Sequence, residues 1–238
     1  MWAMGDTNDG DSLLLADRYR VGARLGRGGM GTVWRAEDEL LGRSVAVKQI
    51  HLEEGVPAGA ARELHRRTLR EARTVAQVGH PSILVVHDVV EQDGRPWIVM
   101  ELVEGESLAD RIARGGPVTA HEAARVGVAL TRALRAAHAR GVLHRDLKPA
   151  NVLLEEGTGR VVLTDFGIAQ VAGMTTISET GAFVGSPEYT APERMTDDRT
   201  GPEADLWSLG VLLCAAVEGE TPFHRDSLGG VLHAAQRV

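Results

Sequence analysis

Apolar and polar positions alternate along Tyr19-Arg20-Val21 and again along Ser44-Val45-Ala46-Val47-Lys48, the period-two pattern of strands. Between them lies Leu25-Gly26-Arg27-Gly28-Gly29-Met30-Gly31-Thr32-Val33-Trp34-Arg35-Ala36. Its β-branched and aromatic Thr32-Val33-Trp34 predict a strand–turn–strand hairpin rather than a strand entering a helix. From Ala60 to Val78 the period lengthens: Leu64, Thr68, Leu69, Ala72, Val75 and Ala76 recur at three- and four-residue intervals, predicting a helix. His80-Pro81 ends it. Ile83–Val90 and Pro96–Leu102 read as strands around the turn Gln92-Asp93-Gly94. Beyond Gly105 the predicted elements are mainly helices: Leu108–Ala113, then Ala120–Arg140 capped by Thr119 and ended by Gly141. Val161–Leu163 reads as a strand, Met174–Val184 as a loop without periodicity, and Ala204–Leu213 as a buried helix carrying a buried Cys214. The change from strand to helix near Gly105 predicts a domain boundary there.

The 238 residues suffice for one large or two small domains. A net charge of −7 with no long basic block argues against nucleic acid as a partner. One cysteine excludes an internal disulfide framework and fits a reducing compartment. The start is polar and acidic, unlike a secretory signal, and the longest apolar run, Leu209–Val217, is far short of a bilayer span. These features predict a cytoplasmic protein whose first residues, 1–17, form a mobile tail.

Candidate chemistry concentrates in His144-Arg145-Asp146-Leu147-Lys148-Pro149-Ala150-Asn151. A carboxylate, an ammonium and a carboxamide share this short segment. A second carboxylate follows at the Gly-bearing turn Asp165-Phe166-Gly167. Asn151 and Asp165 can share a hard cation, and Asp146 can accept a proton, a combination suited to phosphoryl transfer from a metal-bound nucleotide. Gly26, Gly28 and Gly31 form G-x-G-x-x-G, a weak signal alone; in a hairpin they can lay backbone N–H groups over phosphates. On residue type alone, Lys48 could be a solvated strand charge and Glu71 a surface partner of Arg67.

Taken together, the glycine loop, Val45-Ala46-Val47-Lys48, H-R-D-x-x-x-x-N, D-F-G and Ala191-Pro192-Glu193 resemble the eukaryotic-type (Hanks-type) bacterial serine/threonine protein kinases, over about Arg18 to Phe223. Lys148-Pro149 resembles the Ser/Thr rather than the Tyr form of the loop. Gly28-Gly29-Met30-Gly31 and the Ala/Val/Arg-rich composition resemble actinobacterial members. The resemblance implies an α+β, two-lobed kinase fold: an antiparallel-sheet N-lobe over 18–104 and a mainly helical C-lobe over 105–238. It implies transfer of the γ-phosphoryl group of ATP to Ser/Thr hydroxyls of proteins, with Mg²⁺ or Mn²⁺, and autophosphorylation for which a homodimer would serve. It assigns Asp146 as proton acceptor and Lys148 as stabiliser of the transferring phosphoryl. Lys48, held by Glu71, contacts the nucleotide phosphates, and Asn151 and Asp165 hold the metal. Leu25, Gly26, Gly28, Gly31, Val33, Ala46, Glu101, Val103 and Leu153 are implied to line the ATP site, with Met100 limiting access behind the adenine. Ser178 and Thr180 are implied phosphorylation sites, and Asp205 and Glu193 structural carboxylates. His144 is implied to pack beneath Phe166.

Family members normally continue for some tens of residues past Pro222-Phe223, so the C-lobe is expected to be truncated and Glu193 to lack its usual arginine partner. The alternatives are a catalytically inactive kinase-fold scaffold or fragment and, more remotely, a small-molecule phosphotransferase.

Overall fold

The computed structural model describes residues 13–28, 31–51, 66, 69–166, 186–195 and 200–237. Most of the expected tail, Gly29, Met30, the start of the predicted 60–78 helix, Gly167, the 174–184 segment with Ser178 and Thr180, and Gly185 lie outside these residues. The chain forms two compact units, one of residues 1–77 and 85–102, the other of 78–84 and 103–238.

The first unit is built on a six-stranded sheet of order β1-β2-β3-β4-β6-β5, antiparallel throughout. Its strands are β1 (Leu14–Leu15), β2 (Tyr19–Gly28), β3 (Gly31–Asp38), β4 (Arg43–Ile50), β5 (Val86–Gln92) and β6 (Arg95–Glu101). Successive side chains alternate between faces. One face buries Leu15, Tyr19, Val21, Ala36, Val45, Val47, Trp97 and Val99 as a continuous core. Residues 69–76 are helical (α1).

The turn between β3 and β4 is organised by Asp38. This fully buried carboxylate receives Arg18 Nε and Nη2 at 2.7 and 2.8 Å, Arg43 Nε at 3.4 Å and the Leu41 N–H at 3.3 Å. The guanidinium of Arg18 holds the Asp38 carboxyl down at about 2.

The strand expected from Ile83 begins instead at Val86. Ile83 forms a parallel bridge to Leu163 in the second unit, where Leu163 N–H donates to Ser82 O and Leu84 N–H to Leu163 O. An apolar run of β-branched residues cannot reveal which partner strand each part will join.

The second unit carries a small sheet of β7 (Gly105–Ser107), β8 (Val152–Glu155) and β9 (Val161–Leu163), with helices α2 (Leu108–Gly115), α3 (Ala120–His138), α4 (Pro202–Glu218) and α5 (Leu228–Ala235). Thr119 Oγ1 accepts the Glu122 N–H as an N-cap, and Ser107 with Asp110 forms a capping box that starts α2. α4 begins with Pro202 at its first turn and ends at Gly219 in the left-handed region, longer at both ends than its sequence pattern indicated. α5 was not anticipated; Ser227 caps it, and its buried Val231 and Ala235 pack with Phe223 and Val211. Phe223 stacks on Trp207 with centroids 5.5 Å apart.

Cys214 corrects the sequence reading, for it is exposed. α4 is apolar on nearly every side, so no periodicity marks its open face, which runs along Leu206, Gly210, Cys214 and Val217. No helix among the described residues is long and apolar enough to cross a membrane.

Candidate active site

Asp146 sits between α3 and β8, on a loop whose turns are set by Gly141 in the left-handed region and by the 3-10 turn Pro149–Asn151. The side chains of this segment converge. Lys148 Nζ lies 2.8 Å from Asp146 Oδ2 and 3.1 Å from Ser186 Oγ, to which it donates. Asn151 Nδ2 donates to the Asp146 carbonyl at 2.7 Å and to Oδ2 at 3.2 Å. Both side-chain contacts therefore fall on one oxygen of a carboxylate that is itself buried.

The β8–β9 hairpin brings the second carboxylate alongside. Val152 pairs with Leu163, so Asn151 just before β8 and Thr164-Asp165 just after β9 are neighbours. Thr164 N–H donates to the Asn151 carbonyl at 2.9 Å. Asp165 has φ 58, a left-handed value that Asp tolerates better than most residues and that turns the chain sharply.

This donor set fits a divalent cation of the magnesium type. Asn151 spends its Nδ2 on Asp146, which leaves the carboxamide oxygen as its ligating atom, and Asp165 adds a carboxylate oxygen. Among the described residues no cluster of three or more His, Cys, Asp or Glu could hold a metal by itself. A cation here would complete its shell with nucleotide phosphates and water, as Mg²⁺ does.

Beneath the loop, Asp205 of α4 is buried and accepts the N–H groups of His144 and Arg145, each at 2.8 Å, together with His138 Nε2 at 2.7 Å. His144 is fully buried, its ring tilted against Phe166 with centroids 4.7 Å apart. Its Nε2 donates to the Thr164 carbonyl at 2.9 Å, so Nδ1 carries no proton and faces the Asp146 N–H at 3.3 Å. Burial pushes the His144 pKa down, consistent with that neutral tautomer. His144 links the Asp146 and Asp165 turns as a packing residue.

In the first unit, Val33 is paired with Lys48, Ala46 with Met100 and Lys48 with Ile98. Val33, Ala46 and Lys48 thus share the face of the sheet opposite the core residues Val45 and Val47. Glu71 lies half-buried on α1. Glu101 donates its N–H to Val85 O at 2.9 Å. Leu25, Val103 and Leu153 are half-buried.

The glycines separate into two kinds. A Cβ on Gly31 would lie 2.2 Å from the Gln49 carbonyl, so β4 demands glycine there. A Cβ on Gly26 or Gly28 would meet nothing within 4 Å. The protein's own packing gives no reason for glycine at those two positions, whereas a ligand approaching the backbone closely would.

Glu193 is half-buried and is not without an interaction in the chain. Three contributors were absent from the sequence reading: His138, Ser186 and Arg194, the last donating through Nη1 to the Arg145 carbonyl. Each lies far in sequence from its partner, and no local pattern marks it.

A family model described as "Protein kinase domain" matches residues 19–236. The chain is 41% identical over 217 residues to the serine/threonine-protein kinase PknA of Mycobacterium tuberculosis, covering 89% of this chain and 49% of that protein. It is 38% identical to PknB of Mycobacterium leprae, covering 90% of this chain and 34% of that one. The chain therefore spans about half, or less, of the length of these relatives. Among solved structures, the kinase domain of M. tuberculosis PknI superposes with a TM-score of 0.73 at 32% identity, over 91% of this chain and 78% of that one.

Proposed function

The chain belongs to the protein kinase domain family, in the bacterial Hanks-type serine/threonine branch, and from that premise we propose that it transfers the γ-phosphoryl group of ATP to Ser or Thr hydroxyls of proteins. The observation that carries the proposal is the convergence of Asp146, Lys148 and Asn151 beside the turn that presents Asp165.

Asp146 is the proton acceptor for the substrate hydroxyl. Lys148 and Asn151 both engage its Oδ2, so Oδ1 is the oxygen aimed at the incoming hydroxyl. Lys148 lies close enough to shift its ammonium towards charge on the transferring group, and the bond to Ser186 supports it from the other side. Asn151 and Asp165 would hold the divalent ion, Mg²⁺ or Mn²⁺. When bound, that ion neutralises phosphate charge and orients the phosphate chain. In the N-lobe (18–104), Gly26 and Gly28 leave room for phosphates under the hairpin. Lys48, oriented by Glu71, contacts the phosphates, and Leu25, Val33, Ala46 and the Glu101 and Val103 backbone hold the nucleoside. The C-lobe (105–238) contributes Leu153 and the catalytic loop. Most of the acceleration in such a site comes from positioning and fixed charge.

Ser178 and Thr180 are the assigned autophosphorylation sites. A phosphate there would add about −1.5 to −2 charges, which an arginine such as Arg145 could pair with, and is expected to raise activity. Mass spectrometry of ATP-treated protein checks this: full activity with both residues unmodified refutes the assignment.

Incubation with labelled ATP, Mg²⁺ and a generic basic protein tests the whole reading. Label on Ser or Thr is expected. ATP binding without transfer would make the chain an inactive scaffold, and label confined to small molecules would make it a different phosphotransferase.

A further inference from the structure

Arg194 belongs to none of the motifs that suggested the chemistry, yet it touches the backbone of the catalytic loop. It lies in the 3-10 turn Pro192–Met195, and its Nη1 donates to the carbonyl of Arg145. That carbonyl and the Asp146 N–H are the two polar ends of a single peptide unit. The N–H end is held by the His144 carbonyl at 2.9 Å and faces His144 Nδ1 at 3.3 Å. Arg145 itself has φ 67, a left-handed conformation that a long side chain adopts only when its surroundings impose it. Its N–H is held by Asp205 Oδ1 at 2.8 Å.

The backbone leading into Asp146 is therefore gripped from both sides, by a buried carboxylate on one N–H and by a guanidinium on the next carbonyl. Arg194 is half-buried, which disfavours its charge, as does the nearby Arg145; the charges of Asp205, Asp146 and Glu193 act in its favour. A guanidinium is seldom withdrawn from water without such a set of partners. The one donated bond named above falls on the peptide that sets the direction of the Asp146 side chain.

We infer that Arg194 is a positioning residue for phosphotransfer: it locks the Arg145–Asp146 peptide, and through it fixes the Asp146 carboxylate against the substrate hydroxyl. The inference rests on the kinase reading above. It also implies that the segment carrying Pro192–Met195 communicates with the catalytic loop through this bond, since displacing that turn would release the peptide.

The test compares Arg194→Met, Arg194→Lys and wild type in kcat, ATP KM and hydrogen exchange of the 142–151 amides. Arg194→Met is expected to lower kcat by about 10- to 100-fold, the range for a misplacement of an ångström or less, with ATP KM unchanged. Arg194→Lys, which can still donate to the carbonyl, is expected to recover most of the loss. Exchange in the methionine variant should quicken at residues 144–147 and not elsewhere. Arg194→Gln is too short to reach the carbonyl but remains polar. It carries the same expectation as Arg194→Met if the latter does not fold. Unchanged kcat in a folded variant, equal losses in the lysine and methionine variants, or quickened exchange spread over the whole unit would each overturn the inference. A wild-type protein that transfers no phosphate would instead refute the kinase reading. The exchange comparison would then decide the role of Arg194 alone, local quickening supporting it and unchanged protection overturning it.

Discussion

Single residues in this protein carry unequal burdens, and Asp205 is the clearest case. Its two oxygens accept two backbone N–H groups of the catalytic loop and a histidine of α3. Asp205→Ala leaves buried donors unmet, at roughly 1–3 kcal/mol for each group so exposed. We expect a total loss of about 3–5 kcal/mol in urea denaturation, at the upper end for single substitutions that break a buried network. A loss below about 1 kcal/mol would mean that the loop holds its shape without this carboxylate. The role of Asp205 was legible only through family resemblance, because 60 positions separate it from Arg145. Asp146, Lys148 and Asn151 were legible directly, since their chemistry lies in one short segment. His138 and Arg194 were not, because the contacts that give them meaning depend on the fold bringing α3, α4 and the 192–195 turn together.

At the scale of elements, hydrophobic period located the strands and long helices, and capping residues located most of their ends. It failed where burial is one-sided within an evenly apolar stretch. α4 reads as buried all round, yet Cys214 is exposed. It failed again at Ile83, whose β-branched neighbours fit either sheet. The glycine hairpin allows a sharper test, because its glycines answer to different causes. Gly31→Ala should destabilise the first unit by about 1–3 kcal/mol, since the new Cβ would strike the Gln49 carbonyl. Gly28→Ala should leave stability within about 0.5 kcal/mol and raise the KM for ATP. Thermal unfolding and steady-state kinetics of the two variants check the contrast. Equal destabilisation would show that Gly28 serves the fold rather than the ligand.

The turn between β3 and β4 supplies a second prediction at this scale. The Asp38 carboxyl ionises at about 2 in the folded chain against its ordinary 3.8, chiefly because Arg18 binds its charged form. A lowered pKa means the folded state holds the proton more weakly than the unfolded chain does. The ion pair therefore stabilises at pH values above the ordinary carboxylate pKa, and that contribution fades as pH falls from about 4 towards 2. Asp38→Asn should flatten the fall in unfolding midpoint over that interval, while lowering stability at neutral pH. An acid limb identical to wild type would place the titration elsewhere.

At the scale of the molecule, one unit presents two glycines, Gly26 and Gly28, whose places would admit a Cβ, and buried Lys48 on the face of its sheet opposite the core. The other presents a buried carboxylate, a lysine and a carboxamide on a braced loop, with the Asp165 turn alongside. The family shared with PknA and PknB of mycobacteria accounts for both sets of residues together. The central claim is that this arrangement performs phosphotransfer rather than only resembling the machinery for it. The most direct measurement is single-turnover transfer from ATP to a Ser/Thr protein substrate, run on wild type and Asp146→Asn with ATP binding measured in parallel. We expect transfer by wild type, a loss of about 10²–10⁴-fold in the variant, and the same ATP affinity in both. Near-normal transfer by Asp146→Asn would remove the aspartate from its role, and no transfer by wild type that binds ATP would contradict the account as a whole.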